Sequence, residues 1–181
     1  MRIIAGSLRG RTLKSTQTSM LRPTTDRVRE SIFNILGARL EFEGIIVLDL
    51  FAGTGALGIE ALSRGASFCT FVENDRRAAS VITDNLKALD LAGRSRLVIR
   101  DVMKFLAETD SRFDLIFADP PYASPVFGRL VRDVFQHDLL TGDGLLVLEH
   151  SAAMKNIGEG AGELVTQRIF GETGISIFAG H

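Results

Sequence analysis

The stretch Ile45-Ile46-Val47-Leu48-Asp49-Leu50-Phe51-Ala52-Gly53-Thr54-Gly55-Ala56-Leu57-Gly58 decides how the rest of the chain is read. Its first half is an almost unbroken apolar run, the pattern of a strand buried on both faces. It then passes through a glycine loop into a helix. Gly53, Gly55 and Gly58 match G-x-G-x-x-G, and Glu73 stands twenty residues beyond Gly53, where the next strand should end. This is the dinucleotide fingerprint, with glycines for the turn and an acid for a ribose. By itself it admits a nicotinamide enzyme and equally a nucleoside-based cofactor of another kind.

Working outward, apolar runs alternate with helical periodicity. Strands are expected at 45–50, 68–73, 96–100, 114–118 and 145–149, and helices at 56–64, 76–89, 102–107 and 126–136. Such alternation gives an α/β fold, a doubly wound, mostly parallel sheet covered on both faces. At the carboxyl end, runs at 163–170 and 175–178 flank Gly171-Glu172-Thr173-Gly174, which predicts an antiparallel hairpin. At the amino end, 2–5 and 11–13 read as a small hairpin. A helix from Thr24-Thr25-Asp26 to about Leu40 follows a polar linker. The expected division is a basic hairpin and linker over 1–21 and one larger domain over 22–181.

Composition narrows the class. The chain has 181 residues, 45% of them apolar and 24% charged, and no apolar stretch approaches the ~18 residues of a membrane span. The apolar run at Met1–Ser7 is far too short for a signal peptide. Cys69 is the single cysteine and His137, His150 and His181 lack ligand spacing, so neither a disulfide nor a metal is expected. A soluble, monomeric protein of the cytoplasm fits. The net charge of −1 hides an asymmetry: residues 1–30 carry +5 and the remainder −6. A basic arm on an acidic body suits a polyanionic partner, although a solvated basic hairpin would look the same.

Asp49 bears on the ambiguity of the glycine loop. A carboxylate at this strand end would repel a pyrophosphate and attract a cation, and S-adenosylmethionine carries a sulfonium and an ammonium but no phosphate. Glu73 can accept from both ribose hydroxyls, and Asp101, ending the third strand, from an adenine amine. A loop-ordering role for Asp49 is the alternative. The fourth strand runs directly into Asp119-Pro120-Pro121-Tyr122. Two prolines stiffen this turn and remove its N–H groups, leaving a carboxylate and a carbonyl that could both accept from one NH₂ group. Tyr122, the only tyrosine, could stack on a base.

The Asp-Leu-Phe-Ala-Gly-Thr-Gly loop with Asp-Pro-Pro-Tyr after the fourth strand resembles class I adenosylmethionine-dependent methyltransferases that act on an exocyclic base amine. Met1-Arg2-Ile3-Ile4-Ala5-Gly6 and Arg22-Pro23-Thr24-Thr25-Asp26-Arg27-Val28-Arg29-Glu30-Ser31-Ile32-Phe33-Asn34 resemble, more narrowly, the bacterial 16S ribosomal RNA guanine-N2 methyltransferases. The resemblance implies a seven-stranded Rossmann-like sheet with its last strand antiparallel. It implies a cofactor set of Asp49, Phe51, Ala52, Gly53, Gly55, Glu73, Asn74, Asp101, Val102 and Asp119, with S-adenosylmethionine as cofactor. Asp119, Pro120, Pro121 and Tyr122 form the expected catalytic set, and Arg2, Arg9, Arg11, Lys14, Arg22 and Arg29 the RNA-binding one. Ribosomal RNA is the expected partner, within an assembled or assembling small subunit. Thr24 and Asp26 are further polar candidates near the pocket, while Arg27 is expected on a solvated face. Three rivals remain on the residues alone: a nicotinamide oxidoreductase, an adenine-N6 enzyme acting on DNA, and a non-catalytic RNA-binding protein on the same scaffold.

Overall fold

The computed structural model describes residues 1–15, 26–121, 126–154, 157 and 162–180. Along the chain run α1 (Asp26–Gly37), β1 (Ile46–Leu50), α2 (Ala56–Ser63), β2 (Phe68–Glu73), α3 (Arg76–Ala88) and β3 (Ser95–Ile99). They are followed by α4 (Val102–Glu108), β4 (Phe113–Ala118), α5 (Phe127–Gln136), β5 (Leu140–Ser151), β6 (Glu163–Phe170) and β7 (Thr173–Ala179). The seven strands form one sheet in the order β3-β2-β1-β4-β5-β7-β6. The first five pair in parallel, and β7 runs antiparallel to both β5 and β6.

Strand composition follows position. β1 lies centrally between β2 and β4, and four of its five residues are buried. Its side chains alternate between two cores. Val47 faces a core with Phe33, Ile59, Phe71, Phe117 and Ile177, and Leu48 and Leu50 face one with Val72, Leu130, Ile116 and Leu148. By the same alternation Asp49 shares the Val47 face, the side covered by α1, α2 and α3. Phe33 of α1 seals that side against Phe117, with ring centroids 5.6 Å apart. Helix starts are capped where the sequence supplies an acid: Asp75 accepts the Ala78 N–H at 2.8 Å, and Asp101 the Lys104 N–H at 3.0 Å.

The third glycine of the loop is required by packing. A Cβ on Gly58 would lie 2.4 Å from Phe71 Cε1 and 2.6 Å from Cys69 Sγ, so α2 reaches β2 only because nothing projects there. Cys69 is fully buried beneath that contact, and burial raises its thiol well above the ordinary value. His150, buried between β5 and β7, bonds through its ring nitrogens to the Ser151 carbonyl at 2.8 Å and Ser176 Oγ at 2.9 Å. Burial lowers its pKa, which suits a neutral core imidazole.

The largest boundary differences from the sequence reading are at β5 and α1. β5 begins at Leu140 rather than 145, because Leu140 pairs with Phe113 ahead of a shift in register near the start of β4. α1 ends at Gly37 rather than Leu40, the last turn being closed by Leu40 N–H to the Leu36 carbonyl at 2.9 Å. No helix among the described residues is long and apolar enough to cross a membrane, and none of their side chains form a cluster suited to a metal ion.

Candidate active site

β1 is where the strand order reverses: β2 and β3 extend to one side of it and β4 and β5 to the other. Ligands of open α/β sheets bind at this switch point, beyond the carboxyl ends of the strands. The glycine loop leaves β1 there and the Asp119 turn leaves β4 beside it. Asp49 is level with Phe117, Leu50 with Ala118, and the Asp119 N–H lies 3.5 Å from the Leu50 carbonyl. Asp119 is half-buried, Pro120 buried and Pro121 exposed. Tyr122 lies outside the described residues, as do Arg22, Thr24 and the linker up to residue 25.

The loop is held in an unusual backbone conformation. Gly53 and Gly55 have φ of 57° and 77°, and Phe51, which has a Cβ to accommodate, also sits at 57°. Side chains of the same sheet fix it there. Glu73, buried at the end of β2, accepts the Gly53 N–H at 2.8 Å through Oε2 and the Asp75 N–H at 2.9 Å through Oε1. Asp49 accepts the Gly58 N–H at 2.9 Å, and the Gly55 N–H turns back to the Ala52 carbonyl at 2.7 Å. All three glycine amides of the motif are therefore occupied. A dinucleotide site would need such amides for its pyrophosphate. The donor set here is acidic and acceptor-rich, which fits a nucleoside cofactor carrying a cationic end.

Asp49 is wholly buried, and desolvation raises its pKa to about 8, against the opposing pull of the Gly58 N–H. The loop-ordering role weighed for it in the sequence is thus present in the structure. A cation arriving beside this carboxyl would drive it to ionise. Asp101 caps α4 through one oxygen and is exposed, Val102 behind it is buried, and Asn74 is exposed at the rim. Phe51 is half-buried and Ala52 buried against the loop.

The basic arm is docked on the body. Ile3 and Leu13 enter the core, and the antiparallel contact between Arg2 and Thr12 closes a very short hairpin. Glu60 of α2, 1% exposed, accepts the Ile4 N–H at 2.8 Å, the Ala5 N–H at 3.0 Å and Arg64 Nε at 2.9 Å. Ser63 receives the Leu8 N–H at 3.0 Å and donates to the Ala5 carbonyl at 2.6 Å. Arg2, Arg9, Arg11 and Lys14 remain exposed, with Arg11 bonded to the Ala88 carbonyl and Lys14 paired with Asp84 at 3.0 Å. Arg29, unlike the other described arginines expected to meet RNA, is buried. It is 1% exposed and bonds to the Arg2 carbonyl and, at 3.1 Å, to Asp26, because its helical position faces the arm rather than solvent. Burial lowers its pKa. Its Nη2 braces α1 against the arm, while Nε and Nη1 are buried with no partner among the described residues. Glu60, Ser63 and Asn85, which hold the arm, were missed. The one available signal was Glu60, a lone acid in the apolar run Ala56–Ser63.

The family model described as "Conserved hypothetical protein 95" matches residues 1–179. The chain belongs to this family. It is 41% identical over 183 residues to the "Putative rRNA methyltransferase YlbH" of Bacillus subtilis, covering 98% of each chain. It is 39% identical to the "Ribosomal RNA small subunit methyltransferase D" of Escherichia coli over 82% of this chain and 74% of that one. The solved structure titled "Putative methyltransferase yhhF from Escherichia coli" superposes with a TM-score of 0.88 at 33% identity, over 100% and 98% of the two chains. The family member described here is accordingly a methyltransferase with a class I fold.

Proposed function

We propose that this protein transfers a methyl group from S-adenosylmethionine to the exocyclic N2 amine of a guanine in small-subunit ribosomal RNA. The observation that carries the reading is the position of Asp119-Pro120 beside the glycine loop at the switch between β1 and β4. The names of the relatives, which specify ribosomal RNA and in one case the small subunit, support the substrate class. We further infer a cytoplasmic, monomeric enzyme that meets its RNA within an assembled or assembling subunit.

When bound, the cofactor supplies a methyl group made electrophilic by its sulfonium. Glu73 offers its remaining lone pairs to the ribose hydroxyls, Asp101 to the adenine amine, and Asp49 a buried carboxyl to the ammonium. Phe51, Ala52, Gly53, Gly55, Asn74 and Val102 line the same edge. Guanine N2 is a poor nucleophile because its lone pair is delocalised into the ring. Accepting its two N–H groups at the Asp119 carboxylate and the Pro120 carbonyl favours a more tetrahedral nitrogen aimed at the methyl. With a methyl group added, the nitrogen would be acidic, and the Asp119 carboxylate or water would take one of its protons. The base must leave its stack to enter such a site, with Tyr122 as its stacking surface. Arg2, Arg9, Arg11 and Lys14 hold the flanking phosphates.

Asp119→Ala is expected to lower turnover at least ~10²-fold, the scale of one positioned catalytic hydrogen bond, while affinity for S-adenosylhomocysteine stays nearly unchanged. Near-normal turnover removes Asp119 from the mechanism. Mass mapping of the methylated nucleoside separates N2-methylguanine from N6-methyladenine, the product of the adenine reading.

A further inference from the structure

Asn85 lies on the inward side of α3 between Ile82 and Leu86 and is 2% exposed. A carboxamide in such surroundings is costly unless every group is paired. Here every group is. Oδ1 accepts the Lys14 N–H at 2.8 Å, and Nδ2 donates to the Lys14 carbonyl and to the Thr54 carbonyl, both at 3.1 Å. The surrounding groups fix which end of the amide is which. Turned over, it would set its oxygen against two carbonyls and its NH₂ against an N–H.

Lys14 belongs to the basic arm, and Thr54 stands between the two left-handed glycines of the cofactor loop. The loop's other bonds come from Asp49, Glu73, its own backbone and the Val72 carbonyl of β2, none of them in the arm. The arm's other bonds go to Glu60, Ser63, Asp84, Ala88 and Arg29, none of which bonds to the loop. Among the described residues, Asn85 is the side chain hydrogen-bonded to both. A leucine would fill the same place on α3 and join nothing.

We infer that Asn85 is a positioning residue that makes RNA binding at the arm and cofactor binding at the loop cooperative. This rests on the arm being an RNA-contacting segment. RNA that holds the arm on α3 holds Lys14 against Asn85, and that contact keeps the amide aimed at Thr54. A cofactor that needs the loop in its left-handed form then finds it already set. Because the coupling is thermodynamic it is reciprocal, so cofactor binding tightens RNA by the same factor.

The test is calorimetry of S-adenosylhomocysteine binding to the full chain, alone and with a saturating small-subunit ribosomal RNA transcript. In the native protein RNA should tighten binding at least ~5-fold, the lower end of coupling between sites. Asn85→Asp keeps an acceptor for the Lys14 N–H and removes both donors at nearly constant volume. Its ratio should fall to about one, and at saturating RNA the KM for S-adenosylmethionine should rise by the same factor with kcat largely preserved. Asn85→Ala should give the same ratio. If it fails to fold, the isosteric Asp variant still decides. A residue that only supports the fold would lower Tm and leave the ratio intact. Equal ratios in native and variant protein, or a native ratio of one, overturn the proposal. Absence of RNA binding by the native protein, read in the separate RNA titration, overturns the arm reading and this inference with it.

Discussion

The cofactor loop and the amino-terminal arm are both irregular segments held by buried polar side chains, yet their constraints come from different distances along the chain. The loop's acids are close by: Asp49 bonds nine residues ahead and Glu73 twenty back. The arm is held by Glu60, Ser63, Asn85 and Ala88, 55 to 77 residues away. A short-range constraint leaves a motif with fixed spacing. A long-range one leaves isolated residues whose role exists only after folding. The loop is therefore shaped by its own strand ends, and the arm borrows its shape from the helices α1, α2 and α3.

The largest expected effect tests how far the arm depends on α2. Glu60→Ala removes the acceptor for two arm amides and leaves Arg64 unpaired beside a buried cavity. It should cost about 3 kcal/mol, the scale of breaking a buried ion pair, and lower Tm by about 6–12 °C in a chain of this size. Thermal unfolding checks this, and hydrogen exchange should show protection failing first at Ile4 and Ala5. An unchanged Tm would mean that the arm holds itself, and the contrast with the loop would collapse.

A second measurement asks whether the arm's charge serves RNA. Neutralising Arg2, Arg9, Arg11 and Lys14 together should weaken RNA most at low salt. The slope of log affinity against log salt should flatten by up to about three, at ~0.7 to 0.9 for each phosphate no longer neutralised. Parallel salt plots of equal affinity would describe a merely solvated hairpin. Because Arg29 is buried and bonded to Arg2, adding Arg29→Gln should reduce stability without further change in that slope.

The smallest effect belongs to the loop and sharpens its side of the comparison. With its pKa at about 8, the Asp49 carboxyl is largely protonated at neutral pH in the free protein. A bound cation favours the ionised form, so binding releases a proton below that pKa. Affinity for S-adenosylhomocysteine, which keeps the ammonium, should rise with pH until about 8 and then level off, and Asp49→Asn should abolish the rise. The same raised pKa sets the sign for folding. The native state holds a proton that the unfolded chain has released above about 4, so Asp49's contribution falls as pH climbs from there towards 8.

Much of this was legible in the sequence because sheet interiors and glycine turns obey local rules. β2 and β6 match the expected 68–73 and 163–170 end to end, since the turn residues that bound each of them leave little freedom. The extension of β5 to Leu140 could not be seen, because Gly142-Asp143-Gly144 reads as a turn, and the strand crosses it through an irregularity that leaves Leu140 paired with Phe113. The resemblance placed Arg29 in the RNA-binding set, and its burial against the arm could not be read there, because the arm's position over α1 is a tertiary fact. Glu73 and Asp49 were recognisable as acids at strand ends beside the glycine loop. That both already hold loop amides depended on the twist of the loop, which no spacing encodes.

Cys69 gives the protein a built-in clock. Its sulfur lies beneath Gly58, where α2 approaches β2 closely, and burial keeps it in the unreactive thiol form. An alkylating reagent can reach it only when α2 lifts away, so the labelling rate of the unaltered chain times the opening of the helix that begins at the cofactor loop. Comparing that rate with and without cofactor would report the lifetime of the assembled loop directly, with no introduced probe.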